Sequence, residues 1–141
     1  MKIAVIDGQG GGIGKLIVEK IRAELGNDIQ IIALGTNALA TALMLKSGAN
    51  EGASGENAIV FNAPKVDIII GSIGILSANS MLGELSPLMA IAIAESPAKK
   101  ILIPLNKCNI YIAGIKNEPL PHYIDEVIEI LKNIAGGIEN V

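Results

Sequence analysis

Four short, nearly unbroken apolar runs constrain this chain more than any other feature: Lys2–Ile6, Ile29–Leu34, Val66–Ile70 and Lys100–Leu105. They are rich in β-branched residues and do not alternate with polar ones, the pattern of strands buried on both faces of a parallel sheet. Helical stretches separate them. Ile13–Leu25 gathers Ile13, Leu16, Ile17, Ile21 and Leu25 along one face and ends at Gly26, a C-cap residue. Ala38–Lys46 follows the second strand. Pro87–Glu95 opens with Ser86 as N-cap and Pro87 in the first turn. A last helix runs from about Pro121 to Ala135 and stops at Gly136-Gly137. Strands alternating with helices imply a three-layer α/β fold with right-handed crossovers. The 141 residues make a single domain, 1–141, large enough to bury about 68–70% of the unfolded chain's surface.

Two stretches are harder to place. Lys46–Asn57 is polar and glycine-rich and reads as a loop, and Asn57–Ala63 as a short helix capped by Ser54, with a short strand as the alternative. Asn109–Gly114 follows the fourth strand too closely for a parallel crossover, which needs a dozen or more residues, so it reads as an antiparallel edge strand. The sheet then has about five strands in the order 2-1-3-4-5, the last reversed. Ligands of open α/β sheets bind where the crossovers diverge, here between strands 1 and 3.

Composition excludes several functions. Net charge is −3 and there are two Tyr, one Phe and no Trp, which leaves neither a cationic footprint for nucleic acid nor a set of stacking platforms. The lone Cys108 has no disulfide partner, consistent with a reducing cytoplasm. The opening run at Lys2–Ile6 is too short for a signal peptide's apolar region. The stretch from Ile68 to Leu82 is broken by Gly71, Ser72, Gly74, Ser77, Asn79 and Ser80 and falls short of the roughly 20 residues of a spanning helix. A cytoplasmic protein without a membrane or nucleic-acid partner is expected. The helices 38–46 and 87–95 are apolar nearly all round, which predicts a homodimer or higher homo-oligomer through them.

Between the first strand and first helix lies Asp7-Gly8-Gln9-Gly10-Gly11-Gly12-Ile13-Gly14-Lys15. Glycines allow close backbone approach, and free amides at a helix N-terminus attract anions. The strict dinucleotide fingerprint fails, because Ile13 stands at its third glycine; the Walker pattern fails at Gln9 and Leu16. The spacing Gly8-x-x-x-Gly12-Ile13-Gly14 resembles the cofactor loop of short-chain dehydrogenases, with Asp7 where that family usually has Thr. This resemblance implies a Rossmann-like fold and an NAD(P)-type ligand. It stops there, since the Tyr-x-x-x-Lys dyad of those enzymes is absent and Leu34-Gly35-Thr36-Asn37 offers no acidic residue for a ribose. Gly8, Gly10, Gly11, Gly12 and Gly14 would supply the amide nest, Lys15 the counter-charge, and Thr36, Asn37, Ser72 and Gly74 the lining for a small phosphate-containing ligand. Asp7 would repel a bare phosphate, or else accept hydrogen bonds from the loop amides.

Weak catalytic candidates are Asp7, Lys107 and Cys108, the last a nucleophile if Lys107 lowered its pKa. His122 has no second His or Cys at metal-ligand spacing and reads as a surface residue, so no metal site is expected. Taken with Ile6–Lys15, Gly71-Ser72-Ile73-Gly74-Ile75 and Lys100–Asn109, the whole chain resembles a small bacterial family catalogued as a domain of unknown function. That family usually has Pro where Ser72 stands and Arg where Lys107 stands. The resemblance supports the Rossmann-like fold and implies no activity. The expected function is binding of a nucleotide or dinucleotide at the glycine loop. The alternatives are a small-metabolite enzyme using Asp7, Lys107 or Cys108, and a ligand-free oligomeric scaffold or regulatory subunit.

Overall fold

A computed structural model describes residues 1–105 and 109–137. Five strands, β1 (Lys2–Asp7), β2 (Gln30–Gly35), β3 (Glu51–Ser54), β4 (Ile68–Ser72) and β5 (Lys99–Ile103), form one sheet in the order β3-β2-β1-β4-β5. Every pairing is parallel. Five α-helices connect or follow them: α1 (Gly12–Leu25), α2 (Ala38–Lys46), α3 (Glu56–Asn62), α4 (Pro87–Glu95) and α5 (Leu120–Ala135). No helix among the described residues is long and apolar enough to cross a membrane.

The pleat explains how one sheet serves two cores. Ile3 and Val5 of β1, Ile31 and Ala33 of β2, and Ile68 and Ile70 of β4 turn to one face, where they meet α1, α5 and Met44 of α2. Ala4, Ile6, Ile32, Leu34 and Ile69 turn to the other and meet Ile59 of α3 and Met89, Ala90 and Ile93 of α4. The crossovers from β1 run toward β2 on one side, while β4 lies on the other side of β1. The switch point is therefore at the C-terminal ends of β1 and β4, where the sequence places it.

The fifth strand is a correction. Residues 109–114 form turns and irregular chain rather than a strand; the segment beyond them is held by Tyr123, whose hydroxyl donates to the Lys116 carbonyl (2.8 Å) and accepts from the Glu118 amide (2.9 Å). The strand that completes the sheet is β3, parallel and on the opposite edge, inside the polar segment expected to be a loop. Its sequence, Glu-Gly-Ala-Ser, lacks the apolar run that marks a central strand because an edge needs none, and charge there discourages further pairing. The expected helix over 57–63 forms as α3, but Gly55 is its N-cap and no side chain caps it. Ser54 instead belongs to β3 and donates to Thr41 Oγ1 at 2.7 Å.

Candidate functional site

The glycine loop folds around two carboxylates. Asp7, the last residue of β1, is buried and accepts hydrogen bonds from the Gly8 amide at Oδ1 (2.8 Å) and the Gly14 amide at Oδ2 (2.6 Å). No acidic residue lies in the first turn of α1, so Asp7 supplies from outside the helix the negative charge its N-terminus favours. Burial pushes the Asp7 carboxyl above the usual carboxylate range; the bond from Gly14 opposes this most strongly, and nearby Glu84 adds to the rise. With both oxygens engaged by backbone, Asp7 is built as the keystone of the turn. The sequence reading left this role open beside a catalytic one.

Sequence reasoning missed the second carboxylate. Glu84 reaches the loop from a strap, residues 77–86, that links the turn after β4 to α4. Its Oε1 accepts from the Gln9 amide (2.8 Å), Thr36 Oγ1 (2.7 Å) and Asn37 Nδ2 (2.8 Å). The Thr36 hydroxyl, then Gln9 and Asn37, hold its pKa below the usual value. Asn37 also donates to the Gln9 carbonyl and accepts from the Ala40 amide, capping α2. Thus Thr36 and Asn37 do come together with the glycine loop, through Glu84. Nothing in linear spacing signals this, since Glu84 stands 47 positions beyond Asn37. The strap that delivers it carries three non-glycine residues in the left-handed region, Asn79, Met81 and Leu82, a costly conformation that persists where surroundings enforce it. Ser80 Oγ fastens the strap to the Gly74 carbonyl at 2.6 Å.

The glycines divide into two groups. At Gly8 a Cβ would lie 2.5 Å from Thr36 Oγ1 and 2.6 Å from Met81 Sδ; at Gly14 it would lie 2.6 Å from Met44 Sδ and 2.9 Å from Asp7 Cβ. Gly11, with φ +75°, would meet the Ala40 Cα at 2.8 Å. These three are packing glycines. Gly10 and Gly12 are exposed, a Cβ on either would meet nothing within 4 Å, and their amides make no hydrogen bond to the described residues. The open amides thus sit at the loop tip and the first residue of α1. Lys15 lies one turn further, exposed, with its ammonium 3.9 Å from Glu19.

Ser72 ends β4. Val5 pairs with Ile70, so continuing the register sets Ser72 beside Asp7 on the α1 face of the sheet. Its hydroxyl is buried and has no hydrogen-bond partner among the described residues. Gly74 is buried too, but its carbonyl is committed to Ser77 and Ser80. Lys107 and Cys108 lie outside the described residues. His122 is exposed, its Nδ1 3.2 Å from Glu118.

Fold and loop together define a doubly wound α/β protein of Rossmann-like architecture, with a glycine-rich turn at its switch point. Within that class the chain belongs to the family described as a domain of unknown function, DUF3842, which matches residues 2–136. No curated protein and no solved structure matches it.

Proposed function

We propose that the protein binds a phosphate-containing nucleotide or dinucleotide, of NAD(P) type, in the crevice between the glycine loop and the ends of β2 and β4. One observation carries this reading: Gly10 and Gly12 are exposed and their amides make no hydrogen bond to the described residues, at the N-terminus of α1, where the peptide dipoles favour an anion. Phosphate oxygens approaching there would find N–H donors, with Lys15 on the adjoining turn. The remaining loop amides are spent on Asp7, Glu84 and the Gly8 carbonyl, which fixes the two open ones in place before any ligand arrives. Asp7 tempers the positive potential, so a ligand that spreads its charge over a pyrophosphate suits the site better than free phosphate.

Thermal unfolding with NAD⁺, NADP⁺, ATP, GTP and FAD tests the reading. A ligand present at 100 times its dissociation constant adds about 2.7 kcal/mol. At least one should raise the midpoint, and Gly12→Val, which puts a branched side chain into the open space beside that residue's backbone, should abolish that rise while leaving the ligand-free midpoint within a few degrees. Absence of stabilisation by all five, with and without Mg²⁺, overturns it.

A further inference from the structure

The crevice carries an acidic group in a place the linear sequence does not offer one. The chain leaves β2 as Gly35-Thr36-Asn37 without an acid, yet the Glu84 carboxylate lies there, bonded to both polar side chains and to the Gln9 amide of the glycine loop. All three of these donors fall on Oε1. Oε2 accepts nothing from the described residues, and the side chain is only partly buried. A carboxylate fixed through one oxygen, with no donor from the described residues on the other, keeps acceptor capacity for a ligand. A hydroxyl pair satisfies it, whereas a further anion meets its charge at close range. The direction of its pKa agrees, since the three donors keep the group ionised at neutral pH.

Resting on the nucleotide reading above, we propose that Glu84 receives the ribose hydroxyls of the bound nucleotide, so that the crevice selects ligands with a free 2′-hydroxyl over those bearing a 2′-phosphate. The residue acts from a strap rather than from the strand end, which makes ribose recognition depend on the geometry of residues 77–86. Ser80 fastens that strap to the Gly74 carbonyl, and Met81 packs where a Cβ on Gly8 would stand.

Titration calorimetry on the full chain with two matched probe pairs, NAD⁺ against NADP⁺ and ADP against 2′-deoxy-ADP, tests this. The wild type should bind NAD⁺ at least tenfold more tightly than NADP⁺ and ADP several-fold more tightly than its deoxy analogue. In Glu84→Gln both ratios should fall toward one. A purely structural role for Glu84 would weaken all four probes alike and leave the ratios standing, and that result overturns the proposal while sparing nucleotide binding. Preference of the wild type for NADP⁺ also overturns it, because it would mean that phosphate displaces the carboxylate. Failure of all four probes to bind the wild type removes the nucleotide reading and this inference with it. If Glu84→Gln does not fold, Glu84→Asp, which keeps the charge but withdraws it by one methylene, should show the same collapse of the ADP ratio.

Discussion

Asp7 is buried and accepts from the Gly8 and Gly14 amides, Glu84 accepts from the Gln9 amide and the Thr36 and Asn37 side chains, and their effects on stability run in opposite directions with pH. The Asp7 pKa is raised on folding, chiefly by burial. Its contribution is therefore fully present below the unfolded value, near 3.8, and is lost as pH rises through the folded one. The Glu84 pKa is lowered, so its contribution is present above the unfolded value, near 4.5, and is lost as pH falls through the folded one. Denaturant unfolding of the wild type, Asp7→Asn and Glu84→Gln between pH 3 and 7 separates the two. The stability difference between wild type and Asp7→Asn should shrink as pH rises above 3.8, by at most about 1.4 kcal/mol per pH unit for one proton. The difference between wild type and Glu84→Gln should shrink as pH drops below 4.5. A flat Asp7 profile would show that the amides of Gly8 and Gly14 fully offset its burial.

Among the elements, the approach to β3 is tied down by one side chain of another element. Arg22 of α1 donates to the carbonyls of Gly48 (2.8 Å), Gly26 (3.0 Å) and Ile29 (2.8 Å) and to Asn50 Oδ1 (2.6 Å), which also accepts from the Ile31 amide. The guanidinium thus ties the end of α1, the approach to β2 and the approach to β3 to one point, using a planar set of donors that lysine lacks. Arg22→Ala should cost about 1–3 kcal/mol and accelerate amide exchange in residues 50–54 well before the central strands. Arg22→Lys should recover little of either. The same edge shows where sequence reading reached its limit. Strands β1, β2, β4 and β5 follow from their unbroken apolar runs, α1 from its apolar face and α4 from Ser86 and Pro87 at its start, whereas the sequence leaves α3 open to a short strand. β3 buries almost nothing; it is held by pairing with β2, by Thr41 and, just before it, by Arg22 and Asn50, whose partners lie 26 and 19 positions away. The glycine loop was legible for a similar reason to the strands, being local. The division of its glycines into packed and open ones was not, since Met44, Met81 and Ala40 decide it from other elements. Glu84 was the least visible, a lone acid in a segment without periodicity.

At the scale of the whole molecule the outer surfaces of the helix layers matter. The two helices with no polar face, α2 and α4, pack on opposite sides of the sheet, so burying both outer surfaces would require two separate interfaces. The α4 side has the stronger case. Leu88 and Ile91 are half or more exposed, Phe61 of the adjoining α3 is 58% exposed, and Val60 and Pro64 line the groove between the two helices. A contiguous apolar face of this kind is unusual on a monomer. The face also carries both charge signs: Lys65, its ammonium 3.0 Å from the centre of the Phe61 ring, and Glu95 at the end of α4. A two-fold axis brings each surface against its own copy, so a face bearing both signs can pair the lysine of one protomer with the glutamate of the other. We therefore expect a homodimer across α3 and α4. Light scattering should give twice the chain mass at tens of micromolar, and Ile91→Glu should give the monomer mass with its helical circular dichroism retained. Lys65→Glu should weaken the dimer, because it sets two acids against each other, and adding Glu95→Lys in the same chain should restore it. A wild type that runs as a monomer, or a double variant no better than the single, removes the two-fold arrangement and leaves the apolar face to a partner of different shape.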